Sequence, residues 1–92
     1  MVVDILEFEL GGELYAMDIG IAREIVEMLP ITPIPRAPSH VTGLLNLRGE
    51  ITTIINLHYL LGIIPAKQRE EQKIMVLIPD AFENTSVGVI VD

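Results

Sequence analysis

GLLNLRGE, at residues 43–50, is the stretch that decides the fold. It joins two β-rich runs, 41–47 and 51–57, through Arg48-Gly49-Glu50, where the glycine can take a positive φ in a tight turn. The stretch therefore predicts a β-hairpin that presents Arg48 at its turn.

The first strand of this hairpin has a core face and an outer face, because side chains alternate along a strand. We place Leu45 on the core face. The outer face then carries Leu44, Asn46 and Arg48.

A second hairpin is predicted near the start of the chain. Apolar and acidic side chains alternate over residues 3–10, and Gly11-Gly12 is a two-residue turn signal ahead of a strand at 13–17.

A helix is predicted at about 19–28, with Asp18 as its N-cap and Pro30 ending it. Its apolar arc spans roughly 180°, whereas a helix docked on one core needs about 100°. Either part of that face is left for another surface, or the helix is wedged between two layers.

The remaining segments give short elements. Four prolines between 30 and 38 forbid helix and central strand, which leaves an extended edge segment at 31–34. Residues 56–62 predict a short helical turn closed by Gly62. The last elements are a strand at 73–78, a turn-rich segment at 79–86 and a strand at 87–91.

Composition describes one small unit. The 92 residues are 50% hydrophobic, and a chain of this length buries only roughly 60–65% of its unfolded surface. There is no cysteine to add a disulfide, and aromatic residues make up 4%. Thin layers of aliphatic side chains favour a small β-barrel.

Charge and hydropathy exclude other classes. A net charge of -7 repels phosphate backbones, so we expect no nucleic acid partner. No apolar run approaches the ~20 residues that cross a bilayer, and the start lacks the features of a signal peptide. We expect a cytoplasmic protein without direct membrane insertion.

Catalytic patterns are weak. Ser39-His40 lies in a Pro-rich loop without a nucleophile elbow, and the second histidine, His58, has no helical partner for zinc. No glycine-rich loop is placed to seat a phosphate. We expect no enzyme activity, no metal and no cofactor.

The order of these motifs resembles the CheW family of chemotaxis adaptors over nearly the whole chain. The most specific part is Asn46-Leu47-Arg48-Gly49, which follows the proline-rich segment, and 87–92 resembles the later Val-Gly-hydrophobic-Val-Asp strand of the family. The other matching segments are 6–19, 23–25, 31–35, 41–45 and 54–57.

The resemblance implies a mainly β fold, with a small five-stranded barrel of Src-homology-3 type and, from our assignment, one short amphipathic helix. Relatives carry two such barrels. We therefore expect 1–92 to be an incomplete CheW-like domain, with a first barrel at about 3–80 and a strand at 86–92 that begins a second.

The resemblance also implies an adaptor that binds the histidine kinase CheA and the cytoplasmic tip of a chemoreceptor. The protein-binding residues that we carry over, or add from the outer face of the hairpin, are Ala22, Glu24, Gly43, Asn46, Arg48 and Gly49. For the two glycines the alternative role is backbone geometry, and for Arg48 it is a buried ion pair or a surface arginine whose stem covers apolar surface.

Four positions depart from the family pattern. Ala22 stands where valine is favoured, and Arg23 replaces a frequent glutamine. Asn56 and His58 stand where aspartate and arginine are common.

Two other functions stay open. The chain can be the equivalent domain of CheA or of the adaptor-receiver fusion CheV, or a barrel that binds a small molecule. We also expect self-association or strand exchange, because the strand at 87–91 would keep an open edge and an apolar face in water.

Overall fold

The computed structural model describes residues 4–78 and 86–92, and the fold is mainly β. The strands are β1 (Ile5–Leu10), β2 (Glu13–Asp18), β3 (Ala22–Glu27), β4 (Val41–Leu47), β5 (Glu50–Ile55), β6 (Lys73–Leu77) and β7 (Val87–Val91). The helical elements are one α-helix, α1 (Leu57–Leu61), and two 3-10 turns, Ile19–Ile21 and Arg69–Glu71. Most of the predicted turn segment at 79–86 lies outside the described residues.

The strands form two sheets. β1 and β2 make a two-stranded ribbon, and the other five strands form a sheet in the order β3-β6-β7-β5-β4. Neighbours in this sheet are antiparallel except β5 and β7, which are parallel. Because β3 and β4 at the two ends of this order are not paired, the barrel is open between them, which is consistent with the predicted Src-homology-3-like architecture.

The sheet is buried on both of its faces. Met75 and Leu77 of β6 point to one face, where apolar side chains of the β1–β2 ribbon cover them. Ile74 and Val76 point to the opposite face, where they pack with Leu45 of β4. Leu45 is 5% exposed, so the predicted register of the central hairpin is confirmed.

Both predicted hairpins are confirmed, and their turns share one geometry. Gly11 and Gly12 have φ of 62° and 88°, and Arg48 and Gly49 have φ of 54° and 81°. Two successive positive φ values are typical of the type I′ turn, whose twist matches that of the flanking strands.

The predicted short elements at 31–34 and 56–62 are also confirmed. Thr32 forms an isolated antiparallel bridge with Leu44, which sets the proline-rich segment beside the outer edge of β4. The side chain of Asn56 caps α1 by accepting a hydrogen bond from the Tyr59 amide at 3.1 Å. Gly62 ends the helix with a φ of 69°.

The predicted helix at 19–28 is wrong. A single 3-10 turn, capped by the Asp18 carboxylate, is followed directly by β3. Half-buried and exposed side chains alternate along β3, with Glu24 on the inner side and Ile25, 44% exposed, on the outer side. Because Glu24 is polar on the inner side and Ile25 is apolar on the outer side, the apolar residues do not follow the alternation of a strand. Their spacing instead matched the period of an amphipathic helix. The wide apolar helix face does not exist.

The expectation that the strand at 87–91 leaves an edge and a face in water is wrong as well. β7 pairs with β6 on one side and with β5 on the other. Its apolar side chains enter both core clusters, Val89 and Val91 in one and Ile90 in the other. β7 is therefore the middle strand of the five-stranded sheet.

Candidate functional site

A β-bulge prepares the site on β3. Ala22 pairs with Leu77 and Glu24 pairs with Val76, so Arg23 is an extra residue on the β3 side. A bulge interrupts regular alternation and redirects side chains. As a result, the consecutive side chains of Arg23 and Glu24 both reach the β4–β5 hairpin.

Glu24 and Arg48 form a two-pronged ion pair. Two guanidinium nitrogens of Arg48 donate to the two carboxylate oxygens of Glu24 at 2.5 and 2.6 Å. The Arg48 side chain is 64% exposed, whereas that of Glu24 is 23% exposed. The hydrogen bonds from Arg48 lower the pKa of the Glu24 carboxyl, and the charges of Arg48 and Arg23 lower it further. The same contact raises the pKa of the Arg48 guanidinium.

A second ion pair lies beside the first. The Nη1 atom of Arg23 donates to Oε2 of Glu50 at 3.2 Å, and both side chains are half exposed. β3 is at one end of the strand order, and the β4–β5 hairpin is at the other. The two pairs therefore connect the ends of the open sheet through side chains. We call Arg23, Glu24, Arg48 and Glu50 the charged clasp.

The turn that carries Arg48 is fixed from within. The amide of Gly49 donates to Oδ1 of Asn46 at 3.0 Å. Gly49 has open space around its α-carbon, so its role is the positive φ of the turn. Asn46 and Gly49 thus position Arg48, although both are exposed.

Gly43 lies away from this surface and is buried. A β-carbon at Gly43 would stand 2.2 Å from the carbonyl oxygen of Thr32. Glycine is required here because the Ile31-Thr32 backbone passes directly over β4. The backbone-geometry role weighed from the sequence fits Gly43.

Ala22 lies next to the clasp at a shallow hollow of about 270 Å³. Apolar side chains from three elements line this hollow together with the two charged residues of β3: Leu6, Ile19, Ala22, Arg23, Glu24 and Ile25. An exposed charged pair therefore borders an apolar depression. The structure brings Ala22, Glu24, Asn46, Arg48 and Gly49 into one region and leaves Gly43 outside it, against Ile31 and Thr32.

Sequence analysis missed a second polar cluster, which is buried around Asp92. Oδ2 of Asp92 accepts hydrogen bonds from the amides of Gly11 and Ala66 at 2.7 and 3.2 Å, and it lies 2.9 Å from Nε2 of His58. Oδ1 accepts from the Gln72 amide group at 3.0 Å. We call these five residues the Asp92 network.

The Asp92 carboxylate is held in its charged form. Its side chain is 0% exposed and that of His58 is 2% exposed. Burial alone would raise the pKa of the Asp92 carboxyl, but the hydrogen bonds from Gln72, His58 and two backbone amides outweigh burial. The net effect holds the pKa of Asp92 well below its usual range.

The Asp92 network is structural in its geometry, because its polar groups are turned inward and satisfied. Over residues 4–78 and 86–92, no group of three or more histidine, aspartate or glutamate side chains is arranged to hold a metal ion. In the same part of the chain, no helix has the length and apolar character to span a membrane.

The fold and the exposed clasp define a small Src-homology-3-like barrel domain. A family model described as a CheW-like domain matches residues 4–92. The chain belongs to the CheW-like domain family.

Individual relatives agree with this assignment. The chain is 37% identical over 89 residues to the chemotaxis protein CheW of Treponema pallidum, covering 96% of this chain and 52% of the relative. It is 30% identical over 97 residues to the chemotaxis protein CheV3 of Helicobacter pylori, covering 97% of this chain and 30% of that protein.

A solved structure is similar in fold and sequence. The scaffolding protein TtCheW from Thermoanaerobacter tengcongensis superposes with a TM-score of 0.87 at 34% identity, covering 100% of this chain and 61% of that one. The chain spans about half the length of the relatives named CheW.

Proposed function

We propose that this domain is a chemotaxis adaptor that couples the histidine kinase CheA to the cytoplasmic tip of chemoreceptors. It acts in the cytoplasm by protein-protein binding and catalyses no reaction. Family membership and relatives named as chemotaxis and scaffolding proteins support this proposal.

The observation that carries the proposal is the position of Arg48. A type I′ turn presents this arginine with most of its side chain in solvent, while Glu24 fixes its guanidinium plane from below. Arginine is enriched among residues that dominate binding energy, since it combines a charge with a planar hydrogen-bonding group. Because the Arg48 side chain is already oriented, it loses less conformational entropy when a partner binds.

The surface around Arg48 suits a protein partner. The apolar hollow beside Ala22 can take a hydrophobic side chain, and the clasp supplies a charged rim. Apolar centres with polar rims are typical of specific protein interfaces. In this proposal Ala22, Glu24 and Arg48 contact the partner, Asn46 and Gly49 shape the turn, and Gly43 supports the strand.

Titration calorimetry against a receptor-tip fragment and a CheA fragment tests the proposal. Arg48→Asn is the most informative variant, because asparagine removes the charge and still tolerates the positive φ of this position. We expect it to weaken binding of at least one fragment by about tenfold or more, as for other interface anchors.

The matched control is Lys73→Gln. Lys73 is exposed and pairs with Glu27 at 3.6 Å, on the sheet but outside the clasp. It should leave both affinities within about twofold, since isolated surface pairs contribute little. Equal affinity of wild type and Arg48→Asn for both fragments would remove Arg48 from the interface.

A second candidate is the equivalent domain of CheV, which the similarity to CheV3 favours, or that of CheA. Binding of receptor tips without binding of the kinase fragment would support it. A small-molecule-binding barrel is the remaining alternative: a thermal shift with a metabolite mixture, but none with either protein fragment, would replace the adaptor proposal.

The basis on which self-association through the strand at 87–91 was expected is absent, because that strand has no free edge. Both edges of β7 are paired, so exchange of this strand between copies would first break two ladders. The outer strands of the sheet are β3 and β4, and the bridge from Thr32 occupies part of the edge of β4.

A further inference from the structure

We propose that Arg23 is a positioning residue for Arg48: through its ion pair with Glu50 it holds the β4–β5 turn against β3, so that Arg48 is presented in one orientation. The inference deepens the proposed function and rests on it for the binding part of its test.

Geometry places Arg23 next to Glu24 on β3 and in contact with Glu50 on β5. The bulge makes it the unpaired residue of β3, and its side chain reaches across to Glu50 at 3.2 Å. Glu50 is the first residue of β5, two positions after Arg48. The Glu24–Arg48 pair therefore attaches the turn itself to β3, and the Arg23–Glu50 pair attaches the start of β5, directly after the turn, to the same strand.

The two pairs share one narrow cleft. All four charged side chains line it, with Leu47 and Val76 among the apolar residues beside them. The positive charge of Arg23 also acts on the Glu24 carboxyl, where it adds to the effect of Arg48 in lowering the pKa. Arg23 thus stabilises the charged form of the carboxylate that orients Arg48.

The two ion pairs span the opening between β3 and the β4–β5 hairpin, in addition to the apolar core cluster that Val26 and Leu47 join from the two ends. In the described part of the chain, the backbone ladders run from β3 through β6, β7 and β5 to β4. Without Arg23, one of the two ion pairs across the opening is lost. The hairpin turn then gains freedom at its tip, where Arg48 lies.

The chemistry of the two arginines differs, and this difference gives a sharp test. Arg23 makes one N–O contact with Glu50, which the ammonium group of lysine can replace. Arg48 makes two parallel contacts with Glu24, which lysine cannot replace. Arg23→Lys should therefore keep the function of the clasp, whereas Arg48→Lys should lose it.

The first measurement needs no partner. Nitrogen-15 relaxation of the Arg48 Nε–H group reports its order in the isolated chain. We expect lower order in Arg23→Gln and Glu50→Gln and wild-type order in Arg23→Lys, with an unchanged urea midpoint in all three. Unchanged order of Arg48 in Arg23→Gln would overturn the positioning role.

The second measurement is calorimetry with the receptor-tip and CheA fragments. Arg23→Gln should weaken binding by about two- to fivefold, the range expected for an exposed ion pair, and Arg23→Lys should restore it. In an Arg48→Asn background, Arg23→Gln should have no further effect, because it acts through Arg48.

The outcomes separate the two proposals. Loss of binding in Arg23→Gln that persists in the Arg48→Asn background would mean that Arg23 contacts the partner itself, and the positioning role would be wrong. If no clasp variant, Arg48→Asn included, changes binding, the proposed interface fails. The relaxation data then still decide whether Arg23 orders Arg48.

Discussion

The Asp92 network and the charged clasp use similar groups in opposite surroundings. In the network, one carboxylate with a fully buried side chain accepts bonds from two amides, an imidazole and a carboxamide. In the clasp, two carboxylates pair with two arginines at the surface, and Arg48 stays 64% exposed. Burial decides which of the two sites stabilises the fold and which remains available to a partner.

The physical reason is the cost of desolvation. A buried charge has already lost its water, so each protein hydrogen bond to it is needed, and removing either partner leaves the other unsatisfied. An exposed ion pair can exchange its contacts for water at little cost. We therefore expect stability to depend on Asp92 and recognition to depend on the clasp.

The largest effect on stability is expected for Asp92→Ala. The substitution leaves His58, Gln72 and two backbone amides without their shared acceptor. We expect a loss of about 3–5 kcal/mol in the free energy of unfolding, measured by urea denaturation. Glu27→Gln, at an exposed position of β3, is the control. A loss below ~1 kcal/mol would show that the two clusters do not differ as described.

Leu45→Ala tests how much the packing of the β4–β5 hairpin on the core contributes to stability. Leu45 packs with Ile54 and Ile74 beneath that hairpin. The cavity should cost about 2–5 kcal/mol in urea denaturation. Leu44→Ala, on the neighbouring, less buried position, should cost less. Similar losses at both positions would contradict the assigned register.

Acid should affect the network through Asp92. Its pKa is lower in the folded chain than in the unfolded chain, so as the pH falls the unfolded chain binds the proton first. The contribution of Asp92 to stability is thus fully present above its ordinary pKa of about 4 and falls as the pH is lowered further. The change of the unfolding free energy with pH is measured by urea denaturation at pH values between about 6 and 2, in steps of roughly one unit.

Asp92→Asn is the matched variant for the acid series. It keeps the shape of the side chain and removes the titration, so its stability should depend less steeply on pH below about 4. Parallel pH curves for variant and wild type would assign the acid sensitivity to other carboxyls.

The smallest effect on stability is expected for Arg48→Asn. The arginine is exposed, and asparagine accepts the positive φ of the turn. The urea midpoint should stay within error of the wild type, and circular dichroism should be unchanged. A clear drop in the midpoint would mean that the clasp, like the Asp92 network, is part of the structural framework.

Much of the fold could be predicted from the sequence because its signals are local. The Gly11-Gly12 and Arg48-Gly49 turns fix two hairpins, since positive φ values select the type I′ geometry. The alternation around Leu45 fixed its face, and Asn56 with Gly62 marked the limits of α1. The order of the motifs along the chain was sufficient to predict membership of the CheW-like family.

β3 could not be predicted because the residues that serve the site disturb its pattern. A strand with one buried side should alternate, but Glu24 faces inward to meet Arg48, and Ile25 is exposed. The bulge at Arg23 shifts the register once more. The helical periodicity seen over 19–28 was a product of these exceptions.

The sequence by itself determined the two hairpins and the core position of Leu45 in β4, and the family resemblance supplied candidate site residues such as Glu24 and Arg48. Only the tertiary structure decided which of these residues touch. The Glu24–Arg48 pair joins residues 24 positions apart, and the Gly11–Asp92 bond joins residues 81 positions apart. Such contacts depend on the strand order, which sets β7 in the middle of the five-stranded sheet and β3 and β4 at its two ends. Local propensity carries no information about that order, because it is fixed by how the apolar faces of distant strands pack together.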